Sequence, residues 1–276
     1  MSAGTLFVVA TPIGNLADAS PRSLQTLRAA DLIACEDTRT TRTLLARHGV
    51  GTRVVSVHEH NERAAAPGLI DALRQGRNVA LVTDAGTPGV SDPGALLVAQ
   101  AHRAGIKVSP LPGPSAAAAA FSVSGFAADG FLFAGFLPST GSARRKALET
   151  LDLPFPVILY EAPHRILEAL SDLAARFGPE REILIARELT KKFEEVARLP
   201  LGAAREWLLA DPHRSQGEFV LVLAAGEARP AVVLDAERAL DALLEFLAPS
   251  EAAKVAARLT GQPRRLLYRK ALERGK

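Results

Sequence analysis

Four consecutive β-formers, Val79–Val82, run straight into Thr83-Asp84 and then into a loop holding Gly86, Pro88, Gly89 and Gly94, and few folds accommodate that order. A short, unbroken apolar run of this kind is the pattern of a strand buried on both faces. Asp92 suits an N-cap and Pro93 a first helical position, so the spacing predicts a helix from there to about Gly105. Strand, glycine-rich loop and helix are the unit of an open α/β sheet, where ligands settle beyond the carboxyl ends of the strands. Glycines let backbone approach a ligand closely, and free N–H groups in such loops can meet its polar atoms. The same residues also suit a tight turn with no ligand, and this stretch alone leaves both readings open.

The alternation extends in both directions. Leu6–Ala10, Leu32–Cys35, Val54–Val57 and Ile106–Leu111 read as strands, separated by helices from Ser20-Pro21 to about Ala30, from the Glu36–Arg42 run to Gly49, and over roughly 65–75. Such alternation implies βαβ units and a mostly parallel sheet. Pro110-Leu-Pro-Gly-Pro-Ser115 then punctuates the chain, which divides it into α/β domains over 1–112 and 113–228. In the second, Ser115 caps the alanine-rich run Ala116–Ala120. Strands follow at Phe131–Phe136, Val157–Tyr160, Ile183–Ala186 and Glu218–Leu223, with helices at Ser142–Leu151, His164–Phe177 and Leu201–Ala210. After Arg229-Pro230 the strands stop. Three short helices, about 235–247, 250–260 and 263–273, form a tail over 229–276 with helix-turn-helix spacing around Gly261-Gln-Pro263.

Composition narrows the chemistry. A net charge of +3 conceals an asymmetry, because residues 250–276 alone carry +6. A basic tail on a near-neutral body suits a polyanion, and it equally suits a solvated helical face. No apolar run approaches the ~18 residues that span a bilayer, and the start of the chain has no basic leader, so a cytoplasmic protein is expected. The single cysteine, Cys35, lies in a predicted strand and reads as a buried, inert thiol. There is no G-x-x-x-x-G-K-[ST], G-x-G-x-x-G or G-x-S-x-G, which argues against a P-loop, the usual dinucleotide fold and an α/β-hydrolase. His58-Glu59-His60 looks like part of a metal site, yet alternate strand residues face opposite sides, and no metal is expected.

What remains is a set of polar clusters at predicted strand ends: Thr11–Asn15, Glu36–Arg39, His58–Glu62, Asp84–Asp92, Glu161–Arg165 and Arg187–Lys192. In a parallel sheet all carboxyl ends share one edge, so these clusters are expected to converge on one cleft.

The motifs carrying them form an ordered series. Thr11-Pro-Ile-Gly-Asn-Leu16, Glu36-Asp-Thr-Arg39, Asp84-Ala-Gly-Thr-Pro88 with Ser91-Asp-Pro-Gly94, and Pro112-Gly-Pro-Ser115 come first. Gly135-Phe-Leu-Pro138, Tyr160-Glu161 with His164-Arg165, Arg187-Glu-Leu-Thr-Lys191 and Gly217-Glu218 complete it. Together they resemble the ribosomal-RNA-methylating members of the tetrapyrrole methylase superfamily, across essentially the whole chain. The resemblance implies two α/β domains with S-adenosylmethionine in the cleft between them, a homodimer, and methylation of a cytidine ribose 2′-hydroxyl in the decoding region of 16S rRNA. It implies cofactor contacts from Pro12, from Ala85, Gly86, Thr87, Pro88, Val90 and Ser91, and from Ser115, Ala116 and Ala117. Tyr160, Glu161, the Ala186-Arg187 region, Gly217 and the strand after it complete the implied pocket. Thr87 departs from the aspartate of tetrapyrrole-methylating relatives, so no aspartate role carries over to it.

A 2′-hydroxyl is a poor nucleophile, and a base or strong acceptor must take its proton during transfer. Asp84, Glu36, Asp37 and Glu161 are the candidates, with His58 behind them. Arg39, Arg165, Arg187 and Lys191 can hold phosphates. Arg144, Arg145 and Lys146 sit at a predicted helix start, where cations do not stabilise, and read as RNA contacts, as do Arg264, Arg265, Arg269 and Lys270 in the tail. Partners are then small-subunit RNA or the assembled subunit, with neither DNA nor membrane. The alternatives are a tetrapyrrole methylase of the same superfamily, or a silent RNA-binding assembly factor.

Overall fold

The structure, a computed structural model, describes residues 2–226 and 235–274. The expected boundary at 228, Arg229-Pro230 and Lys276 lie outside the described residues. Two compact units are present, the first ending at Gly226 and the second made of the C-terminal helices.

The first unit contains two five-stranded sheets. Strands β1 (Thr5–Val9), β2 (Leu32–Cys35), β3 (Val54–Ser56), β4 (Val79–Val82) and β5 (Lys107–Leu111) form one in the order β3-β2-β4-β1-β5, with every pairing parallel. Helices α1 (Pro21–Ala29), α2 (Thr38–Arg47), α3 (Glu62–Arg74) and α4 (Ala95–Arg103) make the crossovers. Val79, Ala80, Leu81 and Val82 are all buried because a central parallel strand is covered on both faces. Cys35 is buried in the same sheet, and burial raises its thiol pKa, as an inert thiol requires.

Helix α5 (Ala116–Ser122), capped by Ser115, leads to the second sheet. Its strands are β6 (Leu132–Phe136), β7 (Val157–Glu161), β8 (Glu182–Arg187), β9 (Glu195–Pro200) and β10 (Phe219–Leu223), in the order β6-β7-β10-β8-β9. Only β6 and β7 pair in parallel; β10 runs antiparallel between β7 and β8, and β9 hairpins back onto β8. The expectation of a mostly parallel arrangement therefore fails in this half, and β9 was not anticipated. An all-apolar strand such as FVLVL reads as buried whichever way it runs, so its direction is not in the pattern. Helices α6 (Gly141–Leu148), α7 (Ile166–Phe177) and α8 (Leu201–Leu209) pack on this sheet.

Three local differences bear on function. Asp92 is not an N-cap: α4 begins at Ala95 after Gly94, whose φ of +123° and whose crowding by Leu81 fix the chain's entry. Helix α3 starts at Glu62 rather than near residue 65, and the buried Glu62 carboxylate accepts from the Leu97 N–H at 2.9 Å. Arg144 is 2% exposed, held by Asp172 at 2.7 Å and Glu168 at 3.1 Å. Replacing Arg144 by leucine is expected to cost about 2 kcal/mol, the usual cost of orphaning a buried charge reduced for the exposure of its partners. Urea denaturation checks this, and an unchanged midpoint contradicts it.

The second unit packs α9 (Ala236–Leu244), α10 (Pro249–Thr260) and α11 (Arg264–Arg274) around Leu240, Ala252, Ala253, Ala256, Leu267 and Ala271. Its charge is sorted by helix. Glu237 on α9 takes Lys270 and Arg274, and Asp241 takes Arg274 at 3.0 Å. Lys254, Arg258, Arg264, Arg265 and Arg269 stand exposed.

Candidate active site

In the first unit, the loops beyond β1, β4, β6, β7 and β8 and the start of β10 enclose a hollow of about 370 Å³. Its floor on the first-sheet side is Ala85, Gly86, Thr87, Val90, Ser91 and Asp92, with Ile13 from the β1 loop. Gly86 and Thr11 pin the two loops together, exchanging hydrogen bonds at 2.8 and 3.1 Å. The Thr87 hydroxyl ties the same loop to the Pro114 carbonyl at 3.3 Å. Ser115 and Ala116 enter from α5. Phe136, Tyr160, Glu161, Ala162, Pro163, Ala186, Leu189, Glu218, Phe219 and Val220 close the second-sheet side. Because β10 is antiparallel, its amino end lies beside the carboxyl ends of β7 and β8, with Phe219 opposite Glu161 and Arg187.

Ten of the expected cofactor contacts meet in this hollow: Ala85, Gly86, Thr87, Val90, Ser91, Ser115, Ala116, Tyr160, Glu161 and Ala186. Pro12, Pro88, Ala117 and Gly217 do not line it, Pro12 facing a second hollow instead. Phe219 and Val220 belong to the strand after Gly217, which was expected here, whereas Ile13, Phe136, Ala162, Pro163 and Leu189 are plain apolar residues not singled out in the sequence, because their role comes from position alone. Glu218 and Asp92, present in the expected clusters and motifs but given no role as site carboxylates, line it too.

Asp92 is the important omission. Burial, with Glu36 and Asp84 nearby, pushes its carboxyl up to about 6, while a hydrogen bond with Thr83 pulls the other way. Thr83 has a single hydroxyl proton and also donates to Glu36 at 3.0 Å, so two carboxylates compete for it. Among the described residues no basic side chain forms an ion pair with Asp92. The capping signature of Asp92-Pro93 hid this residue.

The four anticipated carboxylates have other duties. Asp37 caps α2 through the Arg39 N–H at 2.7 Å, and hydrogen bonds from Arg39 hold its carboxyl down near 2. Asp84 accepts from the Asp37 N–H at 3.0 Å, its pKa raised by burial. Glu36 accepts from Thr83. Glu161, 2% exposed, accepts from the Ala162 N–H at 2.8 Å and pairs with Arg165 at 3.1 Å; burial raises its pKa despite these partners. His58 lies outside both hollows, its ring edge-on to His60. The His58–Glu62 cluster therefore does not join the cleft: it ends the sheet's edge strand, β3.

Several expected RNA contacts are corrected. Arg144 belongs to the buried ion pairs above. Arg165 is engaged by Glu161 and the carbonyls of Leu137 and Pro138, tying β6 to β7. Arg187, 7% exposed, donates to the Gln216 and Phe193 carbonyls. Lys191 bridges Glu188 and Glu218, and Lys270 is paired with Glu237. A guanidinium or ammonium with internal partners has few donors left for phosphate. Arg39, Arg145, Lys146, Arg264, Arg265 and Arg269 remain exposed, Arg39 paired with Asp37. Among the described residues no cluster of His, Cys, Asp or Glu is arranged to hold a metal.

The chemistry of the walls suits a nucleoside-bearing methyl donor: apolar surface for a flat base and backbone polar groups on pinned loops. Residues 5–205 match the family described as Tetrapyrrole (Corrin/Porphyrin) Methylases, and residues 230–275 match the RsmI C-terminal HTH domain. The fold recurs in uroporphyrin-III-C-methyltransferase from Thermus thermophilus, with 20% identity, TM-score 0.57, and coverage of 80% of this chain and 94% of that one. It recurs in diphthine synthase, with TM-score 0.59, 20% identity, and coverage of 80% and 89%. Fold and site thus define a methylase of the tetrapyrrole methylase class.

Closer relatives fix the branch. The protein named ribosomal RNA small subunit methyltransferase I from Pseudomonas aeruginosa is 47% identical, over 99% of both chains. Those from Xylella fastidiosa and Escherichia coli O157:H7 are 49% and 44% identical, over at least 96% of each chain. The chain belongs to the ribosomal RNA small subunit methyltransferase I family.

Proposed function

We propose that this protein methylates the 2′-hydroxyl of a cytidine ribose in the decoding region of small-subunit ribosomal RNA, using S-adenosylmethionine. The carrying observation is the 47% identity, over 99% of both chains, to a protein named as a methyltransferase of that RNA. The cofactor supplies a methyl group on a positively charged sulfur, which a nucleophile displaces in line. Gly86, Thr87 and Ser91 on one wall and Tyr160 and Ala186 on the other would hold it, in a hollow whose size and apolar lining fit a nucleoside.

This chain's own residues then have two tasks. The pinned loops orient the reactants, since methyl transfer depends on alignment more than on heavy acid–base machinery. Asp92 takes the proton that the 2′-hydroxyl loses, as the wall carboxylate without a cation; a raised pKa makes it a better base than an ordinary aspartate. Exposed Arg264, Arg265 and Arg269, with Arg145 and Lys146, engage phosphates. The homodimer, the division at residues 112 and 228, and action in the cytoplasm belong to the same reading. No helix among the described residues is long and apolar enough to cross a membrane.

Incubating the protein with small-subunit particles, or with their deproteinised RNA, and labelled cofactor tests this. Digestion is expected to yield 2′-O-methylcytidine; none from either substrate contradicts the proposal. Deleting residues 230–276 is expected to weaken RNA binding and flatten its dependence on salt while leaving cofactor affinity intact. Parallel loss of both affinities speaks against a separate RNA-binding unit.

A further inference from the structure

A second hollow, of about 270 Å³, lies against the first. They share a wall of consecutive residues: Thr83 and Asp84 line the second and Ala85 and Gly86 the first, while Pro12 lines the second and Ile13 the first. The remaining lining comes from Thr11 and Leu16 and from Thr40, Thr41, Thr43 and Leu44 of α2. Thr41 is 3% exposed, and its hydroxyl is sealed against the Cys35 thiol, so the reachable polar groups of the hollow lie elsewhere on its walls.

The lining selects the ligand. Among the described residues no lysine or arginine lines this hollow, and Asp84 does, with Glu36 and Asp37 close by, so a phosphate or carboxylate is repelled. Apolar surface comes from Pro12 and Leu16 on one element and Leu44 on another, which suits the two faces of a flat ring. Threonine hydroxyls both donate and accept, which suits a ring edge bearing both kinds of group. One Asp84 oxygen receives the Asp37 N–H, and the carboxylate keeps its other oxygen for a second donor. A ribose hydroxyl brought to a methyl donor requires its nucleotide to leave the stack, and the displaced base then needs housing.

We propose that this hollow receives the unstacked base of the target nucleotide, with Asp84 accepting its exocyclic amino group. The proposal rests on the reading above that the acceptor is a cytidine in RNA. It gives base selection to the wall between the hollows, so that the base is read beside the place where its ribose reacts.

The test uses full-length protein and small-subunit particles carrying cytidine, uridine or 2-pyrimidinone riboside, which lacks the amino group, at the target. The wild type is expected to favour cytidine over 2-pyrimidinone by about tenfold or more in kcat/KM. D84N, whose amide oxygen can still accept from the Asp37 N–H, is expected to bring that ratio towards one. Cofactor affinity by calorimetry is expected to stay unchanged. If D84N weakens cofactor binding, the hollow belongs to the cofactor and the proposal is overturned. If D84N keeps the full preference for cytidine on particles that the wild type methylates, base selection lies elsewhere and only this proposal falls. A wild type that methylates no RNA removes the broader reading and this one with it.

Discussion

Replacing Asp92 by asparagine is expected to stop methyl transfer while making the protein harder to unfold. Loss of a positioned base lowers kcat by about a hundred- to ten-thousand-fold. The amide keeps the shape and can still take part in the Thr83 hydrogen bond, so cofactor affinity should hold. The pH profile gives an independent check. With the Asp92 carboxyl raised to about 6, the wild-type rate rises with pH through that value and levels off above it. Stability runs the other way. Between the ordinary aspartate pKa and about 6 the folded protein holds a proton that the unfolded chain has released, so stability falls as pH rises through that window. At pH 8 the wild type carries the whole penalty and the asparagine variant none, a difference of about 1–2 kcal/mol after solvent screening. A variant with normal kcat, or a wild-type rate flat from pH 5 to 8, would falsify the assignment.

Gly86→Val is expected to abolish cofactor binding in a protein that still folds. Gly86 holds a φ of +85°, a region that costs an L-residue about 1–2 kcal/mol and a β-branched one more. Crowding by the protein is not the cause: a Cβ there would sit 3.6 Å from Ile13 and 3.9 Å from the Pro114 carbonyl, ordinary contacts. The valine methyls therefore claim space in the hollow, and the strain loosens the exchange of hydrogen bonds with Thr11. Cofactor affinity should fall by about a hundredfold or more, and Gly86→Ala by about tenfold. Calorimetry with S-adenosylhomocysteine measures both, and full affinity in the valine variant contradicts the placement of the cofactor in this loop.

Much of the architecture is legible because local rules suffice for it. Val79–Val82 and Leu32–Cys35 are the strands that their apolar runs announce, and Ser20 and Ser115 cap the helices that follow them. The Gly86 loop is readable for the same reason: glycine and proline constrain the backbone whatever surrounds them. Asp92 reads as a cap because a cap and a wall carboxylate have one sequence signature, and the positive φ at Gly94, where Leu81 leaves no room for a Cβ, goes with a helix that starts two residues later, at Ala95. Arg144, Arg165 and Arg187 were misread because charge alone does not say whether a guanidinium faces solvent or an internal carboxylate.

The alternating elements, the loops that bend at glycine and proline, and the family series they carry are written in local sequence, because each depends on neighbours along the chain. The antiparallel insertion of β10 between β7 and β8, and which carboxylates keep a cation, come from the packed fold. Those outcomes depend on residues far apart in sequence, where pairing, burial and competition for a single proton are settled by what packing brings together.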